Sequence, residues 1–299
     1  IGKAENLDQM VYFSRGFIQG HVPIGKFNLL LNKLMKFNKY EGFRLGLGAE
    51  TNDKFIKNIR IGGYGGYGFQ DEAWKYGSHL KWMPNSERQF ETKLSYSQDL
   101  ISIGGVNYFR KTRDLTSTSN IQNLVNDQMD GVEKYEAEIS FRALRDFHFT
   151  FFGNQQVRTF NSDYFFTNEK LFLNSFNSTE AGISIRFSYQ EKFAELLGLT
   201  LPIITKYPII YFKYSRGIKD ALLGDFDYNR FDLNIFKSSV IKGLGTTSFQ
   251  LNAGIIDNEL PLTSLYGMRG IYDEEIKVAS SYSFETMFPN EFFADQYVN

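Results

Sequence analysis

Cysteine is absent from the 299-residue chain. That excludes disulfides, thiolate nucleophiles and cysteine metal sites. Histidine is nearly as scarce. His21, His79 and His148 are the three present, none paired at a metal-ligand spacing; each reads as an ordinary strand or polar residue, and no metal, cofactor or catalytic residue is expected. Charge of one sign is missing too: the net charge of −1 leaves no electrostatic case for nucleic acid. No apolar run reaches the ~20 residues of a spanning helix. The nearest approach, "FAELLGLTLPIITKYPIIYF", is broken by Glu195, Lys206, Pro202 and Pro208. No Met or signal sequence opens the chain at Ile1. The chain reads as mature or trimmed, so absent targeting information carries no weight.

What is present is aromatic. Phe and Tyr number 30 and 18, yet mean hydropathy is only −0.33. The stretch "GYGGYG", from Gly63 to Gly68, fits the G-x-G-x-x-G spacing of a dinucleotide loop. That loop needs a helix to begin at once, so that its N-terminus can hold a pyrophosphate. The following "FQDEAWKYG" has no helical period. Instead Ile59, Ile61, Tyr67 and Phe69 share one parity, while Arg60, Tyr64 and Gln70 share the other. That is a strand's period. Glycine permits curvature and close approach, and a neighbouring aromatic can cover the bare backbone.

The same alternation recurs along the chain. Phe43, Leu45, Leu47 and Ala49 oppose Arg44, Gly46, Gly48 and Glu50. Tyr135, Ala137, Ile139 and Phe141 oppose Glu136, Glu138, Ser140 and Arg142. Ile183, Ile185 and Phe187 oppose Gly182, Ser184 and Arg186, and Phe249, Leu251 and Ala253 oppose Gln250 and Asn252. Further strands are expected at 76–83, 90–98, 101–109, 147–158, 207–217, 229–240 and 279–288. Short polar connections alternate with long ones, the pattern of outer-membrane barrels. Alternation alone does not choose between a soluble sandwich or propeller and a membrane barrel. A soluble closed barrel of about a dozen strands would be too wide for side chains to fill. Glycine beside charge on the polar parity suits a wet, crowded lumen. The expectation is therefore all-β: a transmembrane antiparallel β-barrel of about 12–14 strands, in one domain over 1–299. About 16 strands are expected in the full protein, with this chain incomplete at its C-terminal end.

Several segments carry a resemblance. "NKYEGFRLGLGAETNDKF", "GGYGGYGFQDEAWKYG", "YPIIYFKYSRGI" and "YSFETMFPNEFFADQYV" are similar to the barrel region of a Bacteroidota outer-membrane family of unknown function. In that family the barrel usually follows a carboxypeptidase-regulatory-like domain. More distantly, "GLGTTSFQLNAGIIDNELPLTSLYGMRGIY" resembles the late strands of BamA- and TamA-type surface antigen barrels. There an "LP" step leads to a loop that bears an Arg-Gly motif and folds back into the lumen. Leu260, Pro261, Gly267, Met268, Arg269 and Gly270 match in order. Met268 and Ile271 stand where Val and an aromatic are commoner, and no POTRA-like module is present. The resemblance implies that the loop between Ile256 and a strand beginning near Lys277 enters the lumen. Arg269 would then meet Glu285, on the inward parity of that strand, or Asp295.

Arg44, Glu50, Glu136, Glu138, Arg142 and Arg186 are expected to face the lumen in mixed-sign pairs, because dehydrated charge is costly unless paired or hydrated. Changes on that polar parity, such as Gly46→Ser or Ser184→Arg, are expected to be milder than Leu47→Arg or Ile185→Arg on the apolar parity. Fold does not give function. One reading is an integral outer-membrane component of envelope protein biogenesis, export or assembly, with the bilayer and other outer-membrane or periplasmic proteins as partners. A second is a pore or structural subunit of a larger complex. An enzyme would need a nucleophile and base; His148 and Ser140 could approach, but no orienting Asp or Asn stands at a telling spacing, and no enzymatic activity is expected.

Overall fold

The computed structural model describes residues 16, 20–85, 89–104, 124–161, 166–168, 171–196, 199–202, 206–243, 245–268, 270–279 and 283–299. Its strands run β1 (His21–Ile24), β2 (Phe27–Leu30), β3 (Met35–Asn38), β4 (Gly42–Thr51), β5 (Ile59–Gly68), β6 (Trp74–Asn85) and β7 (Phe90–Ser102). Then come β8 (Met129–Ala143), β9 (Phe147–Thr159), β10 (Phe166–Asn168), β11 (Leu171–Leu173), β12 (Ser175–Ser188), β13 (Phe193–Leu196) and β14 (Leu199–Pro202). The last are β15 (Ile209–Gly217), β16 (Tyr228–Ile241), β17 (Gly245–Ile256), β18 (Tyr266–Gly267), β19 (Phe293–Ala294) and β20 (Gln296–Val298).

Fourteen of these form one antiparallel sheet, ordered β1-β2-β4-β5-β6-β7-β8-β9-β12-β15-β16-β17-β20, with β3 also paired to β4. The chain is thus all-β and meanders, each strand lying beside the next long one. The hairpins β10-β11 and β13-β14 project from connections at opposite ends of the sheet. The sheet is open: among the described residues no ladder joins β1 to β20. β20 covers only Ala253–Ile255 of β17, which is too little to close a barrel.

Period-2 alternation gives the sheet two unlike faces. On β16, Tyr228, Arg230, Asp232 and Asn234 are buried, while Phe231 between them is exposed. On β4, Arg44 is 6% exposed and Leu47 62%. The polar face is therefore the inner one and the apolar face the outer one, the reverse of a soluble sheet. Aromatic rings line the outer face near one end. Trp82, Phe90, Phe141 and Phe149 follow one another at 5.9–6.5 Å, and Phe147 lies 4.8 Å from Phe187. At mid-strand on the same face, Tyr96 packs tilted against Tyr135, and Tyr76 packs tilted against Tyr96.

The glycine-rich stretch lies in β5, paired with β4 and β6 throughout. Tyr64 lies across Gly77, where an added Cβ would stand 2.7 Å from its ring. Phe152 covers Gly182 in the same way. The inner face is so close at Gly46 that a Cβ would meet the Gly65 carbonyl oxygen at 2.6 Å and that of Lys33 at 2.8 Å. A side chain at Gly46 would therefore force these backbone carbonyls to shift, so Gly46→Ser costs more than its polar parity alone implies.

Two expected strands are corrected. The segments 90–98 and 101–109 do not form separate strands, because β7 runs unbroken to Ser102. Its Asp99 takes inner-face partners, so a polar run that reads as a turn stays in the ladder; residues 105–109 lie outside the described part. Of the strand expected at 279–288, residues 280–282 lie outside the described part, and the described residues 283–288 form no strand. Phe284 instead bridges Gly270, and the Tyr272 amide donates to the Met287 carbonyl at 2.8 Å. Those groups are satisfied within the loop rather than by a wall strand.

Candidate functional site

The inner face is a continuous polar surface. Strand register places Arg60, Lys81, Lys93, Glu138, Phe152, Gly182, Ser215 and Arg230 in one row across eight strands. The neighbouring row carries Glu50, His79, Glu136, Asn154 and Glu180. Acids of one row therefore stand beside bases of the next.

Arg44, Glu50, Glu136, Glu138, Arg142 and Arg186 lie on this polar face, each beside opposite charge. Arg44 reaches Glu41 at 2.6 Å and Asp99 at 2.7 Å. Asp99 also accepts from the Tyr64 hydroxyl at 2.8 Å, and the Lys33 ammonium sits 3.5 Å over the Tyr64 ring. Glu50 contacts His79 at 2.9 Å and Lys81 at 3.1 Å. Lys93 bridges Glu136 and Glu138 at 3.1 and 3.2 Å, and Lys134 also holds Glu136. Arg186 grips Glu191, which lies 4.0 Å from Arg142. Ser140 stands opposite Thr150, and His148 stands opposite Arg142 and Arg186. Among the described residues no group of three His, Asp or Glu could hold a metal ion.

Beyond Ile256 the chain turns back over this face. Tyr266, 2% exposed, enters between β16 and β20. Its hydroxyl lies 2.9 Å from Asp232 and accepts from Arg230 Nε at 3.2 Å. The Arg230 guanidinium lies 4.3 Å from the ring centre, and Tyr297 packs at 4.6 Å on the ring. Leu260, Ile256 and Tyr228 complete the apolar cluster around it. Below it, Tyr228 bonds Glu180, and Arg158 bonds Asp130 at 2.7 Å.

Further on, Gly104 donates to the Thr263 carbonyl and Gly267 donates to the Gly104 carbonyl, each at 3.1 Å. Asn290 meets Asn126 at 2.9 Å. Lys39, in the turn between β3 and β4, donates to Asp273 at 2.6 Å. One segment thus touches β16, the connection after β7 and the turn before β4, so the sheet curls around it. Outside the strands, the Lys39 hydrogen bond and then the Ile276 amide hold the Asp273 carboxyl down to about 2. The same bond raises Lys39.

The sequence reading assigned the anchor of this loop to Arg269, which lies outside the described residues. Gly267 is buried in β18, and Gly270 is buried at the bridge to Phe284. Glu285 is exposed in a turn rather than inward on a strand, because the local pairing of 270–272 with 284–287 replaces that strand. Asp295 is an exposed bend whose carbonyl accepts from the Ile256 amide at 2.8 Å. Tyr266, Thr263 and Asp273 were missed. Tyr266 had a visible signal, an aromatic beside Gly267 in "LPLTSLYG"; Asp273 had none, since its partner is 234 residues away.

Comparison with known proteins adds one finding. No curated protein matches the chain. Residues 134–259, from within β8 to just past β17, match the model of the C-terminal domain of a family of unknown function, DUF5686. Under half of the chain is covered, and over that part it is similar to a family whose function is itself unassigned.

Proposed function

We propose that the chain forms the wall of an integral bacterial outer-membrane β-barrel with a plugged lumen, working in the biogenesis, export or assembly of other envelope proteins. One observation carries this reading. The large apolar side chains, among them Leu47, Trp74, Leu80, Leu94 and Phe151, are exposed, while Arg44, Asp130, Arg158 and Asp232 are buried. In water that arrangement is unfavourable at ~25 cal/mol per Å² of exposed apolar surface. In a bilayer it is the favoured one, and strands satisfy their backbone groups there through their neighbours. An aromatic row near one end of the outer face fits the girdle at one interface of such barrels. None of the helices among the described residues is long and apolar enough to cross a membrane, which says nothing of strands.

Between assembly and solute passage, the plugged interior favours assembly. Paired charges and the segment 257–294 occupy the space a channel needs. The resemblance to a Bacteroidota barrel family, and distantly to surface antigen barrels, points the same way. Depletion in the native host tests the reading. A broad fall in folded outer-membrane proteins supports it. Loss of one solute's uptake with envelope proteins unchanged would replace it with a pore. Recovery of the chain as a soluble monomer without detergent would overturn the membrane reading itself.

A further inference from the structure

A furrow of about 760 Å³ crosses the outer face from β5 to β12. Its wall on one side is a single register row that passes through Leu80 and Leu94 and then drops to Ala137, Gly153 and Ala181. The opposite wall includes Tyr135 and Thr179. Small residues alone would make only a dent, but three further features converge on it.

The first is Thr179, 8% exposed, whose hydroxyl lacks a hydrogen-bond partner among the described residues. The second is the connection after β15. Its Ile218 amide donates to the Thr179 carbonyl, which folds the connection over the furrow's end, and Leu222 lines it. Leu222 and Leu223 are 71% and 76% exposed and hold φ values of 46° and 68°. The left-handed region is unfavourable for a leucine, yet Leu222 presents an apolar side chain to the surroundings. The third is charge. The row that contains Ala181 continues to Arg216 on β15, followed by the exposed Lys219. Tilted strands carry such a row from mid-bilayer towards the interface. Six strands at ~4.8 Å give the furrow a length of roughly 24 Å.

We propose that this furrow is a phospholipid site: one acyl chain lies along Leu94, Ala137, Gly153 and Ala181 beneath Leu222, and the phosphate meets Arg216 and Lys219. The site rests on the membrane-barrel reading. Arg216 now bonds Asp227 at 2.7 Å in the open. A guanidinium offers five donors, so it can take a phosphate oxygen beside that carboxylate.

Native mass spectrometry of the detergent-extracted chain with added phosphatidylglycerol tests the proposal. The unsubstituted chain should retain one phospholipid. Gly153→Leu fills the furrow without a clash, since a Cβ there meets nothing nearer than 3.8 Å. It should lower occupancy at least about tenfold, equivalent to about 1.4 kcal/mol, with folding unchanged by heat-modifiable gel mobility. Arg216→Gln should weaken phosphatidylglycerol while leaving an uncharged diacylglycerol unaffected. If Gly153→Leu disturbs folding, Leu222→Ser at the overhang gives the same reading from a loop. Equal retention by the folded variants, or no retained lipid on the unsubstituted chain, overturns the site and leaves the barrel standing. Failure to partition into vesicles overturns both.

Discussion

Tyr266 shows how one side chain can hold a long segment against a sheet. Its ring stacks on Arg230 and Tyr297, and its hydroxyl serves Asp232. Truncating a buried aromatic to Ala costs about 3–5 kcal/mol. Tyr266→Ala should therefore lower the unfolding temperature in detergent and expose 257–294 to protease. Tyr266→Phe keeps the stacking and loses the hydroxyl bond to a charged partner, about 1.5–3 kcal/mol. If both match the surface control Lys57→Ala, Tyr266 is not the anchor. Asp273 adds a pH dependence. Its carboxyl is held at about 2, below the usual aspartate value near 4. The contribution is thus full above about pH 4 and lost as pH falls through about 2. The difference in melting temperature between the unsubstituted chain and Asp273→Asn should be constant from pH 5 to 8 and vanish as pH falls from about 4 to 2. A difference already lost at pH 5 would contradict the Lys39 contact.

At the scale of the strand, the two parities answer differently to charge. Ile185 is on the outer parity of β12, and an arginine at mid-bilayer costs about 2–4 kcal/mol. Ser184, one residue away, stands opposite Lys213 on the inner face. Ile185→Arg should reduce the folded fraction in vesicles, while Ser184→Glu should not. Equal tolerance would count against the proposed membrane barrel. The period-2 signal that makes this prediction was legible in the sequence: β4, β5, β8, β9, β12, β16 and β17 all follow it. It was legible because a pleated strand with two unlike environments must alternate. Connections carried no such constraint. "VASSYSFETMF" alternates too, but Phe284 and Met287 within it pair with 270–272 nearby, and no local rule distinguishes that from a wall strand. The cost of a side chain at Gly46 was equally hidden, since the crowding comes from the Lys33 and Gly65 carbonyls.

For the whole molecule, the decisive question is whether its interior conducts. Burying charge is costly, and pairing recovers part of that cost. The inner face meets this with ion pairs that run from Arg44–Asp99 through Lys93–Glu136 to Arg186–Glu191. The segment after Ile256 then spans the end of the curled sheet, from Asp232 on β16 to Lys39 before β4. Among the described residues this interior shows mixed-sign pairs rather than a single-sign ring that would select an ion. In planar bilayers the unsubstituted chain should show little steady conductance. Releasing both anchors together, with Tyr266→Ala and Asp273→Asn, should raise it severalfold, because each residue holds a different end of the same plug. A large, steady, ion-selective current from the unsubstituted chain would mean that the segment does not close the lumen in a membrane, and the pore reading would then replace assembly.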